Sequence, residues 1–266
     1  MKEIAIMEGR ARRIGRLLII TLVLGLTGGF APAAYSAGDK DARSLSRRMD
    51  RLYRADTSRG VVEMTVLNPN FKRTLKMRIW TEGLENTLVR ILSPRKEKGT
   101  ATLKRGNEMW NYLPKIGKTI RIPPSMMMSS WMGSDLTNDD LVKETSWEKD
   151  YRVSFGGNPS PGQIGLEYIP RENAAVTWSK VIVYLSADLL LPVDIEYYDE
   201  KGKKVRSMKY SEVKDLGGRR LPTRFEVIPL SQEKKGRRTI MIYRELEFGL
   251  KMKGNLFSLS NLRRGR

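Results

Sequence analysis

Residues 106–124 read GNEMWNYLPKIGKTIRIPP, and residues 125–141 continue SMMMSSWMGSDLTNDDL. The first stretch predicts two strands, with a turn at Lys115-Ile116-Gly117 between them and Pro123-Pro124 stopping the second. Strand alternation puts Trp110 and Tyr112 on one face and Met109, Asn111 and Leu113 on the other. The second stretch crowds Met126, Met127, Met128, Trp131 and Met132 between turn residues. Methionine adapts its shape to irregular apolar partners, and tryptophan suits the rim of a greasy site. An ordinary core is the commoner home for such a cluster. Here Pro-Pro, Ser-Ser and Gly-Ser-Asp argue for a loop, and an apolar loop needs a partner. The expectation is a lid over an apolar cleft. It ends in a helix start, where Thr137 accepts an N–H bond and Asp139 and Asp140 suit the positive helix end.

Working outward, the helical spacing of Leu45, Met49 and Leu52, with Arg47, Arg48 and Arg51 around the other side, predicts an amphipathic helix over 41–53. It either closes a core or touches a membrane. After it the period changes to two. Val62, Met64 and Val66 share one face of a strand, and Leu75, Met77 and Ile79 alternate with Lys76, Arg78 and Trp80. Turns at Asn68-Pro69-Asn70, Gly106-Asn107, 199–202 and Gly217-Gly218 separate further alternating stretches up to 237–248. The total is about eleven strands. No linker divides the chain and no fixed-period repeat recurs. A sheet this long must curl to bury one face. The fold class expected is mainly β (α+β): a curled antiparallel half-barrel, with an N-terminal helix and a short lid helix on its concave side. Residues 38–266 are expected to form a single domain.

The first 37 residues predict a secretory signal peptide. Arg10, Arg12, Arg13 and Arg16 precede an apolar run, 17–26, and small residues follow it, with the cut expected between Ala33 and Ala37. An uncleaved anchor is the alternative, although the run is short for a membrane span. The reading places the protein in a bacterial periplasm. Without residues 1–37 the chain keeps 44 Lys/Arg and 28 Asp/Glu, a net charge of +16. In an exported protein that excess points to anionic membrane surfaces or acidic envelope polymers, not to nucleic acid. A generally basic proteome is the plainer explanation.

The chain has no Cys and no His. Thiol chemistry, His-based acid–base work and the commonest metal sites are therefore excluded. Ser134-Asp135 and Asp139-Asp140 form the one polar cluster that invites a catalytic reading. A serine nucleophile would need a lysine base, which no pattern supports. The acids lack the alternating spacing and closing Glu of a calcium loop. Helix capping explains them without chemistry. No catalytic residue, metal or cofactor is expected.

Three pieces of the opening stretch carry a resemblance. They are Trp110-x-Tyr112-x-Pro114, the strand at 118–122, and Met132-Gly133-Ser134-Asp135-Leu136 with Asp140-Leu141. Together with the helix-then-strands order they make the chain similar to the outer-membrane lipoprotein-sorting domain family. That family is related to the periplasmic carrier LolA and its outer-membrane receptor partner LolB. The resemblance implies a half-barrel whose hydrophobic cavity takes acyl chains. It implies that Trp110, Tyr112 and the 126–132 segment (Met126, Met127, Met128, Trp131, Met132) line or cover that cavity. Trp80 is assigned to the same lining. Gly133, Ser134, Asp135 and Asp140 are assigned to the lid hinge and cap. Expected partners are lipid or lipoprotein acyl chains, an inner-membrane transporter, an outer-membrane acceptor and an anionic membrane surface. The other readings left open are an envelope adaptor or sensor that uses the same fold to bind a protein, and a hydrolase acting on envelope polymers.

Overall fold

In a computed structural model the described residues are 41–143, 147–174 and 176–264. The expected signal peptide lies outside them. Helix α1 (Ala42–Asp50) is capped by Asp41, whose side chain accepts the Arg43 N–H. Leu45 turns inward while Arg47 and Arg48 face solvent.

Two meanders follow. The first is β1 (Thr57–Asn68), β2 (Phe71–Glu82), β3 (Asn86–Ser93), β4 (Ala101–Arg105), β5 (Glu108–Leu113) and β6 (Lys118–Arg121). The second is β7 (Tyr151–Phe155), β8 (Gln163–Pro170), β9 (Lys180–Ser186), β10 (Pro192–Tyr198), β11 (Lys204–Leu216), β12 (Arg219–Pro229) and β13 (Arg238–Phe248). The last strand pairs antiparallel with the first, so the two meanders become one sheet in the order β6-β5-β4-β3-β2-β1-β13-β12-β11-β10-β9-β8-β7. Thirteen strands form where about eleven were expected; the sheet is open, antiparallel and curled.

This order has a consequence for the chain between the meanders. β6 and β7 are consecutive in sequence, yet they are the two opposite edges of the sheet. Residues 122–150 must therefore cross from one edge to the other. The described part of this crossing lies over the concave face and carries two short helices, α2 (Asn138–Lys143) and α3 (Trp147–Asp150).

The concave face carries the larger apolar cluster. Val62, Met64 and Val66 of β1, Leu75 and Met77 of β2, Val183 and Leu185 of β9 and Val227 of β12 meet in one cluster with Leu45 of α1. β12 and β13 pair only over 224–227 against 239–242, so the sheet opens beside them. Tyr53 fills that opening: its hydroxyl donates to the Pro222 carbonyl at 2.7 Å and its ring stacks on Tyr243 at 4.9 Å. Burial, with the nearby Tyr243, holds the Tyr53 phenol well above its usual pKa.

The convex face carries a smaller apolar cluster. Leu88, Ala101, Leu103 and Trp110 are covered there by the C-terminal segment, which ends in α4 (Leu259–Arg264) and buries Leu262. Arg90 fixes this cover by donating to the Asn261 carbonyl at 3.0 Å.

Candidate functional site: a fastened segment across the concave face

After β6, Pro123 and Pro124 end the pairing and the chain turns inward. Trp131 is only 1% exposed and sits in the concave cluster. Its indole N–H donates to Thr102 Oγ1 on β4 at 3.2 Å, and its backbone N–H donates to Leu136 O at 2.8 Å. Met132 and Gly133 then take left-handed backbone, at φ 49° and 70°. That conformation is ordinary for glycine and uncommon for methionine. It presents the Met132 carbonyl to Arg73 of β2, which donates to it.

The Gly-Ser-Asp element is a fastening. Ser134 is buried; its hydroxyl donates to Trp131 O at 2.7 Å and accepts the Leu136 N–H at 3.2 Å. Asp135 reaches β13: its N–H donates to Thr239 Oγ1 at 2.9 Å, and that hydroxyl donates to Asp135 Oδ2 at 2.8 Å. Arg237 Nε lies 3.3 Å from the other carboxylate oxygen, near enough for an ion pair but not aligned as a hydrogen bond.

Thr137 and Asp140 cap α2 reciprocally. Thr137 N–H donates to Asp140 Oδ2 at 2.7 Å, and Asp140 N–H donates to Thr137 Oγ1 at 3.1 Å. Asp140 does more than cap. Arg206 of β11 grips it bidentately at 2.6 and 2.8 Å, and both side chains are 5% exposed. The guanidinium also lies over the Tyr197 ring at 3.9 Å and the Trp178 ring at 4.6 Å. Burial pushes the Asp140 carboxyl up, but the Arg206 charge and the hydrogen bonds from Arg206 and Thr137 outweigh it. The net effect holds the carboxyl below its usual range. Asp135 and Asp140, expected at a hinge, instead latch the segment to β13 and β11, Ser134 braces it internally, and Trp131 and the Met132 carbonyl tie it to β4 and β2. Gly133 alone matches a hinge in conformation.

The expected lining residues divide. Met127 and Met132 pack partly buried against the concave cluster beside Trp131, as does Leu141, which was not among them. Met126 and Met128 point outward, at 48% and 50% exposure. Trp80, Trp110 and Tyr112 are not brought to this site. They pack in the convex cluster, on the far side of the sheet. Alternation had put Met109 and Trp110 on opposite faces, and it is Met109 that faces the lid. The reason is the C-terminal segment, which claims the Trp110 face. Ending the chain at residue 254 is therefore expected to cost about 4 kcal/mol by re-exposing that apolar surface. The check is a thermal melt together with a red shift of tryptophan emission.

Sequence reasoning missed Arg206, Thr239, Arg237, Arg73, Trp147 and Trp178. Trp147 packs edge-on to Tyr168 at 4.9 Å and helps fill the concavity. Only the shortage of tryptophans, five in the chain, marked Trp147 and Trp178 for notice. Voids beneath the segment are small. One of about 30 Å³ is lined by Asp139, Asp140, Trp147 and Trp178, and one of about 90 Å³ lies beside α1. The first holds a water at most. With the segment fastened, the concave face is filled by the protein's own side chains.

A family model described as "Uncharacterized protein" matches residues 83–264. The chain belongs to that family. Among curated proteins none matches it. Its fold recurs in solved structures. A DUF1329 family protein from Desulfovibrio piger aligns with a TM-score of 0.71 at 23% identity, over 83% of this chain and 97% of that one. A LolA superfamily protein from Nitrosomonas europaea gives 0.69 at 20% identity, over 83% and 99%. An outer-membrane lipoprotein-sorting protein domain from Vibrio parahaemolyticus gives 0.70 at 21%, over 85% and 99%. The protein is LolA-like in fold, as the Trp110, Gly133 and Asp140 motifs implied.

Proposed function

We propose that the protein is an exported, periplasmic carrier that takes the acyl chains of a lipid or lipoprotein onto its concave face and hands them to an envelope partner. One observation carries the reading. A Met-rich segment with a buried Trp131 covers the large apolar cluster of the concave sheet face, and polar groups latch it to β2 and β4 on one side and to β13 and β11 on the other. Polar latches can release and re-form in water, whereas a core built only of side-chain interdigitation would have no reason for them. When the segment lifts, the face offers about 0.8 kcal/mol per buried CH₂. Met127, Met132 and Trp147 are soft or broad surfaces that can repack around a chain. The N-terminal export signal, the basic surface and the lipoprotein-sorting names of the structural neighbours support the compartment and the cargo class.

On this reading the transfer needs no catalysis. Asp135 and Asp140 are tied to cations, and among the described residues no group of three acidic side chains could hold a metal. Release is a competition between two apolar sites. By analogy with the family, the donor is an inner-membrane transporter and the receiver an outer-membrane acceptor.

The absence of native cysteine makes the test clean. Asp135 and Thr239 already meet side chain to side chain. An Asp135→Cys, Thr239→Cys double variant should take up a fluorescent fatty acid when reduced and refuse it when oxidised. Equal uptake in both states would reject the moving segment.

A further inference from the structure

Basic charge on this protein is not spread evenly. Antiparallel registers place four turns at one rim of the sheet: 69–70, 94–100, 114–117 and 230–237. They touch in sequence around that rim. A Cβ on Gly236 would stand 3.3 Å from Pro69, and one on Gly99 would stand 3.4 Å from Pro114. Arg73, at the start of β2, pairs with Glu97 at 3.6 Å. Across 68–72, 94–99, 114–118 and 230–238 there are ten basic residues and two acidic ones, Glu97 and Glu233. The turns at the opposite rim, 83–85, 106–107, 156–162, 187–191 and 217–218, hold two acids, Glu85 and Asp188, and no base, while the two remaining turns on the basic side, 171–179 and 199–203, are balanced at three bases and three acids. Among the described residues Lys72, Lys96, Lys98, Lys115, Lys234 and Lys235 are exposed and make no ion pair.

The same rim carries single apolar tips. Phe71, Ile116 and Leu230 are 50%, 60% and 40% exposed, and each sits within two turn residues or less of a hairpin end. Leu230 also borders an open groove with Leu67, Ile228 and Pro229, beside Lys235 and Arg238.

We propose that this rim docks the protein on an anionic bilayer, with Phe71, Ile116 and Leu230 entering the interfacial layer and the lysines meeting headgroup phosphates. The composition separates this partner from others. Protein interfaces favour arginine and are depleted in lysine, whereas seven of the ten basic residues here are lysine. Apolar tips inside a basic collar suit a fluid surface that closes around each one. Nucleic acid would call for several aromatic stacking platforms, and of the three tips only Phe71 is aromatic. The rim also holds the segment's latches, because Arg73 grips Met132 and Arg237 faces Asp135. Docking therefore puts the edge of the fastened segment against the membrane. The docking itself does not depend on any cargo.

The test is flotation of protein exported from the full-length chain and purified without detergent. Neutral phosphatidylcholine vesicles are compared with vesicles containing phosphatidylglycerol. The protein should float with the anionic vesicles alone, and high salt should release it. Reversing Lys96, Lys115 and Lys234 to Glu should lower partition by at least about 100-fold, at roughly fivefold for each lysine lost, with repulsion by the added carboxylates on top. Changing Phe71, Ile116 and Leu230 to Ser should lower it ~10-fold or more. Lys251→Glu with Lys253→Glu, beyond the end of β13, should change it little. Equal losses in the rim and control variants would mean net charge alone and overturn the proposal. So would absence from vesicles combined with capture of an acidic envelope protein. A variant locked by the Asp135–Thr239 disulfide should still float, so a failure of cargo uptake and a failure of docking read differently.

Discussion

Arg206→Met should cost about 3–5 kcal/mol of unfolding free energy at neutral pH, because it strands a buried carboxylate. Asp140 is 5% exposed; the guanidinium donates to both of its carboxylate oxygens, and the Thr137 N–H to one of them. The pH dependence identifies the cause. In the wild type the Asp140 carboxyl is held below its usual range, so its contribution is complete above the unfolded carboxyl value, about 3.9. It is lost as pH falls through the lower folded value. In Arg206→Met burial, the largest influence, is opposed only by the Thr137 hydrogen bonds, so the carboxyl rises and protonation relieves the variant. The gap between the two proteins should be widest at neutral pH and shrink below about pH 4. Arg206→Lys keeps the charge but loses the bidentate grip and the stack on Tyr197, and should fall between the two. Removing both charges with Asp140→Leu and Arg206→Met should restore much of the loss. Chemical unfolding across pH measures all four. A gap that does not change with pH would mean that Arg206 acts by packing alone.

The second large effect is on Trp131. Trp131→Ala removes a nearly fully buried indole and should cost about 3–5 kcal/mol. Trp131→Asp adds a buried charge and should cost more. The loss should fall on the fastened state of the segment. Opening of residues 123–141 should rise by at least about 100-fold, the equivalent of that energy. Hydrogen exchange reads this directly at the amides of Trp131, Asn138 and Asp139, whose partners are Leu136 O, Ser129 O and Met127 O. The β1–β2 amides should keep their protection. Acceleration spread evenly over the sheet would make Trp131 a core residue of the whole fold and remove the lid from the account.

Much of the architecture is local and was legible. Val62, Met64 and Val66, with Leu75 and Met77, alternate as one buried face must, and they form it. The turn at Asn68 closes with its own side chain accepting the Asn70 N–H, as its residue types indicate. Thr137 and Asp140 spell a capping box and make one. What was not legible is long-range. Nothing near Asp135 or Asp140 names Thr239 or Arg206, which arrive from strands more than sixty residues away. Alternation says that Met109 and Trp110 part company, but not which of them faces the lid. That choice is made by the apolar C-terminal segment, whose place depends on the pairing of β1 with β13. The Met-rich stretch reads as a whole as lining or covering the cavity, yet an edge-to-edge crossing has two sides. Met127 and Met132 go in while Met126 and Met128 stay out.

The most direct measurement is mass spectrometry of organic extracts from protein exported by its own leader and purified without detergent, alongside Trp131→Ala. The account expects one class of acyl-bearing molecule, near-stoichiometric in the wild type and altered in amount in Trp131→Ala. A folded protein that emerges empty, and that refuses added lipid even when the Asp135 and Asp140 latches are broken, would contradict the carrier and leave a protein-binding adaptor in its place.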